Sequence, residues 1–340
     1  MDDRRTDSKH ARIGKSAPLH SFADIRQSGG MATKRSSRFR RASTVAPMQL
    51  TMRDREIIRI VHRHRFLRSH QIVVLVGGSS QQVLRRLQLL YQHGYLERPR
   101  AQLEYYERGG SRPMVYGMSN KGGMLLRQEL GGDVTWNGGD GAVGEIFLEH
   151  ALLVSDVMVS IELACRKSGN VRLLYENQLV FESKQNSFQW HVKVHEHGVT
   201  LGVIPDRVFA LEYEDHTGEM QRVYFFLEAD RGTMPVVRSG LTQTSFYRKL
   251  LAYEATWTQK IHQRKLGIHR FRVLTVTTNA MRVKSLLDAC SRLKRGHGLF
   301  LFADRSVLEK DPFSPVWQCG KSAKISTLLD MPELASLPPY

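Results

Sequence analysis

Three acidic residues and one lysine in the second half of the chain have the types and spacing of a metal-dependent site for cutting phosphodiesters. Asp206 follows Pro205, Glu228 and Asp230 are two residues apart, and Lys249 comes after them. Alternate residues of a strand point to the same face, so an extended segment would place Glu228 and Asp230 together. Their carboxylates predict a site for Mg²⁺ or Mn²⁺, and a metal held there activates water for phosphoryl displacement.

The hydrophobic pattern around these residues predicts the order helix, three strands, helix, strand. The predicted elements span residues 145–167, 171–175, 203–213, 222–230, 242–262 and 271–277. We expect antiparallel pairing of the second and third strands to bring Asp206 beside Glu228 and Asp230. This αβββαβ order and the carboxylate spacing resemble the PD-(D/E)XK nuclease fold, the fold of restriction endonucleases. A strand at 299–303 after a helix at 279–293 is expected to complete the sheet.

One position departs from the nuclease motif. The motif lysine follows the glutamate by two residues, and this chain has Asp230 there. Lys249, on the following helix, is our candidate for the missing cation, with Arg231 or Arg248 as partial substitutes. The alternative is a nuclease-like scaffold without catalysis, in which the three carboxylates only cap a turn or pair with basic neighbours.

The first half of the chain, residues 50–130, has the pattern of a winged helix-turn-helix. Helices are predicted from Thr51, over 69–76 and from Ser79 or Ser80 to His93, the last with Leu84 in its buried stripe. Strands at 95–97 and 114–118 and a helix at 121–130 follow. Polar residues of the third helix and of the loop between the strands are the candidates for DNA contacts: Gln81, Gln82, Arg85, Arg86, Arg98, Arg100 and Arg112. The alternative is a small helical module that contacts proteins.

Positive charge is concentrated at the amino-terminal end. The first 100 residues hold 21 Lys/Arg against 7 Asp/Glu and so carry +14 of the net +17. Such clustering is typical of proteins that bind nucleic-acid backbones in a salt-dependent way. Residues 1–46 lack hydrophobic periodicity and contain the run Lys34 to Arg41, which predicts a disordered basic arm. The arm either follows a nucleic-acid backbone or only improves solubility.

The resulting domain organisation is a basic arm at 1–46, a winged helix at 50–130, a glycine-rich linker at 131–144 and a nuclease-like α/β domain at 145–330. Three widely separated cysteines provide neither a disulfide framework nor a zinc motif. The charged first residues lack the apolar stretch of a secretory signal, and charged residues interrupt the longest apolar run. We therefore expect a cytoplasmic protein without a membrane span.

Several short motifs, taken together, identify a family resemblance over residues 50–280. They are Val115-Tyr116-Gly117, Leu148-Glu149-His150, Pro205-Asp206, the run from Phe226 to Thr233, Lys249 and Tyr253. This set resembles the replication-relaxation family of plasmid and mobile-element proteins. The resemblance implies a role in plasmid replication. It also implies a relation to conjugative relaxases with a restriction-endonuclease-like core, which nick DNA with a metal-activated water.

The resemblance also implies roles for individual residues. Asp206, Glu228 and Asp230 would be the metal-binding or catalytic carboxylates, with Lys249 as the cation that stabilises the transition state. Glu149 and His150 match a motif on the preceding helix, with Arg231 as a further auxiliary residue. His150 either orients a carboxylate or contacts phosphate, although a histidine on a largely apolar helix is more commonly a core residue.

Two functions follow from these observations. The first is a DNA-binding protein of plasmid or mobile-element replication or mobilisation whose second domain is a Mg²⁺- or Mn²⁺-dependent nickase acting at an origin-like duplex site. The second is a non-catalytic initiator or transcriptional regulator that uses an inactive nuclease-like domain for dimerisation or partner docking. A homodimer and contacts with replication or conjugation proteins are further expectations.

Overall fold

Helices and strands alternate along the chain in the computed structural model, which describes residues 38–103, 112–130, 140–179, 188–215, 217–321 and 325–329. The helices are α1 (Met52–His64), α2 (Ser69–Val76), α3 (Ser80–Gln92), α4 (Asn120–Leu130), α5 (Glu145–Ser168), α6 (Phe246–Thr258), α7 (Ile261–Leu266) and α8 (Ala280–Cys290). The strands are β1 (Phe66–Arg68), β2 (Leu96–Glu97), β3 (Val115–Met118), β4 (Val171–Tyr175), β5 (Trp190–Val194), β6 (Val199–Val203), β7 (Arg207–Glu214), β8 (Met220–Ala229), β9 (Phe271–Thr277), β10 (Phe300–Asp304), β11 (Trp317–Cys319) and β12 (Ile325–Ser326). The protein is thus a mixed α/β structure with several sheets.

The described residues between 52 and 130 form an N-terminal module of four helices and a small sheet. Thr51 begins α1 with a capping box, in which Thr51 and Asp54 each accept a hydrogen bond from the other's backbone. Apolar residues of α1, α2 and α3 share one core. The three strands lie in the order β1-β3-β2 and are antiparallel. Strand β1 was not predicted because its three residues are too few to show a period of two.

A seven-stranded sheet organises the second half of the chain. Its order is β12-β11-β10-β9-β8-β7-β4, in which β8, β9 and β10 are parallel and the remaining neighbours are antiparallel. Helix α5 packs against one face. Helices α6 and α8 and the hairpin of β5 and β6 pack against the other face. The sheet is therefore a central layer buried on both sides, as its parallel strands require.

Two of the predicted elements are wrong in extent. The strand predicted at 203–213 is interrupted at residues 204–206, because β6 ends before Pro205 and belongs to a separate hairpin that was predicted only as variable chain. The helix predicted at 242–262 begins at Phe246 and ends at Thr258. Lys260 then adopts a left-handed conformation with φ of 54°, which no helix accommodates, and the short α7 follows.

Helix α5 belongs to both halves of the structure. Its residues Val157 and Ile161 lie in the core beneath the large sheet, whereas Val159 lies in the core of the N-terminal module. The Ser155 hydroxyl donates a hydrogen bond of 2.8 Å to the carbonyl of His64, and Arg166 donates one of 2.5 Å to the carbonyl of Leu75. The residues that the structure describes from Arg41 onward are consequently one compact unit.

A buried carboxylate on α5 holds the two halves together. Glu162 accepts hydrogen bonds from Arg63 at 3.2 Å, from His64 at 3.0 Å and from Arg166 at 2.6 Å, and also from the Tyr175 hydroxyl. Burial alone would raise the pKa of Glu162, but the hydrogen bonds from His64 and Tyr175 and the nearby positive charge lower it to about 2. The ionised form is therefore strongly preferred in the folded protein.

Parts of the predicted basic arm and of the predicted linker are described by the structure. Residues 1–37 and 131–139 lie outside the described residues. From Arg41 onward the chain lies against α3, since Arg41 donates a 2.8 Å hydrogen bond to the Tyr91 carbonyl and the Ala42 amide donates one of 2.7 Å to Gln92. At the end of the linker, the Asp140 carboxylate is buried and accepts a 3.2 Å hydrogen bond from the Met118 amide. The described ends of both segments therefore contact the N-terminal module.

All three cysteines are unpaired and buried, as expected for inert thiols. Burial raises the pKa of Cys165 and of Cys290 to about 12. None of the described helices is long and apolar enough to span a membrane.

Replacing Glu162 tests the joint between the two halves. The pKa of Glu162 is about 2 in the folded protein, compared with an ordinary value of 4.5. The ionised carboxylate therefore adds about 3 kcal/mol to the free energy of unfolding above pH 4.5, and this contribution is lost as the pH falls towards 2. Urea unfolding should show Glu162→Gln less stable than the wild type by about 3 kcal/mol at pH 7, with the difference shrinking on acidification. The exposed Glu309→Gln is the matched control, and an equal pH profile for both variants would contradict this account.

Candidate active site

The carboxylates predicted from the sequence lie where parallel strands of the large sheet end. Antiparallel pairing places Arg207 opposite Leu227, so Asp206 lies next to Glu228 at the end of β8. The carboxyl ends of β9 and β10 lie at the same edge because both strands run parallel to β8. Crevices at this edge are the usual ligand sites of open α/β sheets.

Asp206 is held between helices from both faces of the sheet. Its Oδ1 accepts a 3.1 Å hydrogen bond from Nε2 of His150 on α5, and its Oδ2 accepts one of 2.7 Å from the Ala229 amide. Burial would raise the pKa of Asp206, but His150 and the charge of Lys249 on α6 outweigh it and lower the pKa. The same hydrogen bond raises the pKa of His150. The pair therefore favours an ionised Asp206 that remains 16% exposed.

Glu228 is a buried acid with two partners from one face of α6. Lys249 forms an ion pair with Oε2, and the Tyr253 hydroxyl donates a 2.6 Å hydrogen bond to Oε1. Burial raises the pKa of Glu228, and the charge of Asp206 adds to that rise, whereas Lys249 opposes it. The pKa of Lys249 is raised by Glu228 and Asp206 even though burial acts in the other direction. Asp206, Glu228 and Lys249 thus form one electrostatic group.

Asp230 has different neighbours. Arg282, in the first turn of α8, contacts both of its oxygens, at 2.8 Å and 3.1 Å. The Thr277 hydroxyl donates a 2.6 Å hydrogen bond to Oδ2, and the Gly232 amide donates one of 3.1 Å to Oδ1. Gly232 has a φ of 73°, which favours glycine in this tight turn. The carboxylate of Asp230 therefore shapes the chain after β8 and offers no free oxygen edge to a ligand.

The auxiliary residues form a bridge beside the carboxylates. Glu149 is ion-paired with Arg231, which also donates a 2.8 Å hydrogen bond to the Ile146 carbonyl. This bridge fastens the first turn of α5 to the chain after β8. It places His150, the next residue on the helix, against Asp206.

Metal-ligating groups are sparse at this site. Across the parts of the chain that the structure describes, no three His, Cys, Asp or Glu side chains are gathered as a metal-binding set. Of the three predicted carboxylates, Asp206 and Glu228 lie next to one another. Mg²⁺ is commonly held by one or two protein carboxylates and completes its shell with water and substrate phosphates. The donor set therefore fits a two-carboxylate site and does not extend to Asp230.

The residues predicted to contact DNA divide into two groups. Gln81, Gln82 and Arg85 are exposed on the first half of α3, as are Arg100 and Arg112 on the chain between β2 and β3. Ser79 caps α3, and Arg53 of α1 donates a 3.2 Å hydrogen bond to Gln82. Leu84 was expected in the core but is 46% exposed on the same helix. Residues 104–111 of the intervening loop lie outside the described residues.

Two predicted contacts are instead used within the N-terminal module. Arg86 forms an ion pair with Asp54, a fully buried residue in the first turn of α1, and also donates a 3.1 Å hydrogen bond to the Gln49 carbonyl. Arg98 is buried, with its guanidinium 3.0 Å from the Tyr116 hydroxyl and stacked over Tyr91. Both guanidinium groups therefore have partners within the N-terminal module, whereas the sequence interpretation directed them to DNA.

The sequence analysis assigned no role to several residues that the structure places at the site or at the joint between the two halves. Arg282 reaches Asp230 from a helix that begins 50 residues later, and no periodicity indicates such a pairing. Tyr253 could be inferred from its spacing, because residues four apart share one face of a helix and Lys249 is the residue four before it. The contact between Glu162 and His64 joins segments 98 residues apart and was likewise not predicted.

The fold and the site define a mixed α/β protein with a carboxylate-lysine centre at the edge of its sheet. A family model described as replication-relaxation matches residues 58–270, more than half of the chain. The chain belongs to the replication-relaxation family, which confirms the resemblance inferred from the motifs. Neither the curated proteins nor the solved structures provide a match.

Replacing Lys249 should destabilise the protein, because Glu228 would lose the positive charge that neutralises it. Lys249→Met leaves Glu228 buried without its counter-charge, and breaking fully buried pairs costs about 3–5 kcal/mol. Because the Lys249 side chain is 35% exposed, we expect the free energy of unfolding measured in urea to fall by only about 2 kcal/mol. The double variant Glu228→Gln/Lys249→Met should recover most of that loss, since a neutral amide needs no counter-charge. Additive losses in the double variant would show that the two side chains do not interact.

Proposed function

We propose that this protein acts on DNA in the replication or mobilisation of plasmids or related mobile elements, as a metal-dependent DNA nickase. The family match supports the replication context. The observation that carries the enzymatic part is the grouping of Asp206, Glu228 and Lys249 at one edge of the sheet, from three separate elements. Two carboxylates that hold a metal ion, with an ammonium nearby to stabilise phosphate charge, can support metal-assisted phosphodiester hydrolysis.

In this proposal the second half of the chain is a PD-(D/E)XK-like domain whose lysine comes from a helix. Asp206 immediately precedes β7, Glu228 lies near the end of β8, and α6 supplies Lys249. The position of the usual lysine is taken by Asp230, which is paired with Arg282. The positive charge beside Glu228 is therefore supplied by Lys249 on α6 and not by a residue on β8.

The roles of the residues follow from their contacts. Asp206 and Glu228 would hold Mg²⁺ or Mn²⁺, which when bound supplies an activated water and neutralises phosphate charge. The Lys249 ammonium is placed to stabilise negative charge on the phosphate. His150 positions Asp206 and keeps it ionised. Tyr253 is 1% exposed and bonded to Glu228, so in this proposal it orients the acid and does not attack DNA.

The N-terminal module is proposed to be a winged helix that binds duplex DNA. Helices α2 and α3 form the helix-turn-helix, and β2 and β3 flank the wing. The exposed polar side chains of Gln81, Gln82 and Arg85 on the first half of α3 support this assignment, because that part of a recognition helix contacts base edges.

One observation favours a second candidate function, a non-catalytic DNA-binding initiator or regulator. Glu228 is only 2% exposed, and each of its oxygens already has a protein partner. A metal would have to displace the Lys249 ammonium from Oε2 or share that oxygen with it. In this second function the carboxylate group only stabilises the sheet edge.

Nicking of supercoiled plasmid separates the two candidates. The wild-type protein should produce open circles only with Mg²⁺ or Mn²⁺, and Asp206→Asn should lower the rate by at least about 100-fold, because a metal-binding oxygen is removed. Arg270→Gln, at the opposite end of β9, is the matched control and should cut normally. A protein that shifts DNA in gels but never cuts it with either metal would support the regulator.

Arg85→Ala tests the recognition helix. A contact to a base or phosphate from α3 is worth about 1–3 kcal/mol, so duplex affinity should fall by about 5- to 150-fold at fixed salt. Fluorescence anisotropy with a labelled duplex measures this directly, with Arg270→Ala as the control. Equal affinities for the two variants would remove α3 from the DNA interface.

A further inference from the structure

Helix α3 has one exposed leucine in the middle of its polar face. The buried residues Val83, Leu87 and Leu90 of this helix pack into the core of the N-terminal module. Leu84 lies outside that core and is 46% exposed. A single exposed leucine is ordinary on a protein surface, so its meaning depends on the residues beside it and on the ligand that this surface fits.

The exposed side chains of α3 form a stripe that is polar except at Leu84. The stripe consists of Gln81, Leu84, Arg85 and Gln88, all of them exposed. Their spacing of three and four residues places them on one face of the helix. Gln88, at the far end of the stripe, accepts a 3.2 Å hydrogen bond from Arg98. Leu84 therefore lies between two exposed polar side chains, those of Gln81 and Arg85.

The charge around this stripe fits a polyanion. Helix α3 contains no acidic residue, and the first 100 residues of the chain hold 21 Lys/Arg against 7 Asp/Glu. Such a surface attracts nucleic acid through its phosphates. A helix without acidic residues also enters the major groove of a duplex without repulsion from the phosphates on either side.

The chemistry of the base edges then indicates what the leucine contacts. In the major groove, hydrogen bonds from glutamine select adenine and those from arginine select guanine, whereas apolar side chains contact the C5 methyl of thymine. Gln81 and Arg85 can form such hydrogen bonds, but Leu84 can make only an apolar contact. Against a polar base edge Leu84 would displace water without replacing its hydrogen bonds, which is unfavourable.

We propose that Leu84 is a specificity-determining residue that contacts the C5 methyl of a thymine in the major groove of duplex DNA. In this arrangement Gln81 and Arg85 bond the neighbouring base pairs, and Leu84 fills the space between them. The inference rests on the proposed function, because it names the base that the proposed recognition helix α3 selects.

Selection of duplexes from a random library, followed by removal of single methyl groups, tests this contact. The wild-type protein, in EDTA to prevent cutting, should enrich a sequence with at least one invariant thymine. Replacing that thymine by deoxyuridine removes only the methyl. The affinity measured by fluorescence anisotropy should then fall by about 4-fold, the effect of burying one methyl group. Thymines outside the selected sequence are the matched control and should tolerate the replacement.

Variants of Leu84 assign the methyl contact to this side chain. Leu84→Ala and Leu84→Gln should both lose the preference for thymine over deoxyuridine, because neither presents a large apolar surface. Leu84→Met should keep it. Met124→Ala, at a residue of α4 that is 60% exposed, is the control and should also keep it. Because Leu84 lies outside the core, thermal melting should show every variant to be folded.

The outcomes separate this inference from the proposed function. A wild-type protein that binds no duplex from the library would remove the proposed DNA binding, and the thymine contact with it. If the wild type binds duplex but selects no thymine, or tolerates deoxyuridine at every selected thymine, the contact is wrong and DNA binding still stands. The same holds if Leu84→Ala and Leu84→Gln keep the wild-type preference.

Discussion

The structure depends on one helix, α5, being buried in two cores at once. Its apolar residues Val157 and Ile161 pack under the large sheet, and Val159 packs into the N-terminal module. This double burial forces polar groups of α5 into the interior, where each needs a partner. Glu162 satisfies that demand with four donors, and the hydrogen bonds join the two halves into one unit.

The same helix gives the carboxylate group its geometry. The first turn of α5 is fastened by the pair of Glu149 and Arg231, and His150 then meets Asp206 from one face of the sheet. Lys249 reaches Glu228 from the other face. Asp206 and Glu228 lie at the edge of the sheet where the parallel strands end. Side chains at this edge are less enclosed by neighbouring strands than side chains in the middle of the sheet. The residues of β8 that face the two cores are apolar. Polar groups that could take part in a reaction are therefore found near the end of this strand.

Local patterns in the sequence predicted most of the elements but few of the contacts between them. Helix α2 and strands β4 and β9 match their predicted bounds, because the apolar residues of each recur within a short segment. The break at Lys260 and the separation of β6 from β7 depend on backbone conformation and pairing, which hydrophobic periodicity does not encode. Asp206, Glu228 and Lys249 were correctly expected to be close, since strand pairing and helix order suffice for that. The partners of Asp230, Arg86 and Arg98 could not be foreseen, because each is set by tertiary packing.

The central claim is that Asp206 and Glu228 form a metal site. Calorimetry that measures Mn²⁺ binding to the protein in the presence of duplex DNA tests this claim most directly. The account predicts a site that is abolished in Asp206→Asn and kept in Asp230→Asn, provided that circular dichroism shows both variants folded. Abolition in Asp230→Asn with retention in Asp206→Asn would contradict the assignment of the carboxylates. Absence of Mn²⁺ binding by the wild-type protein with DNA present would contradict a metal-dependent centre altogether.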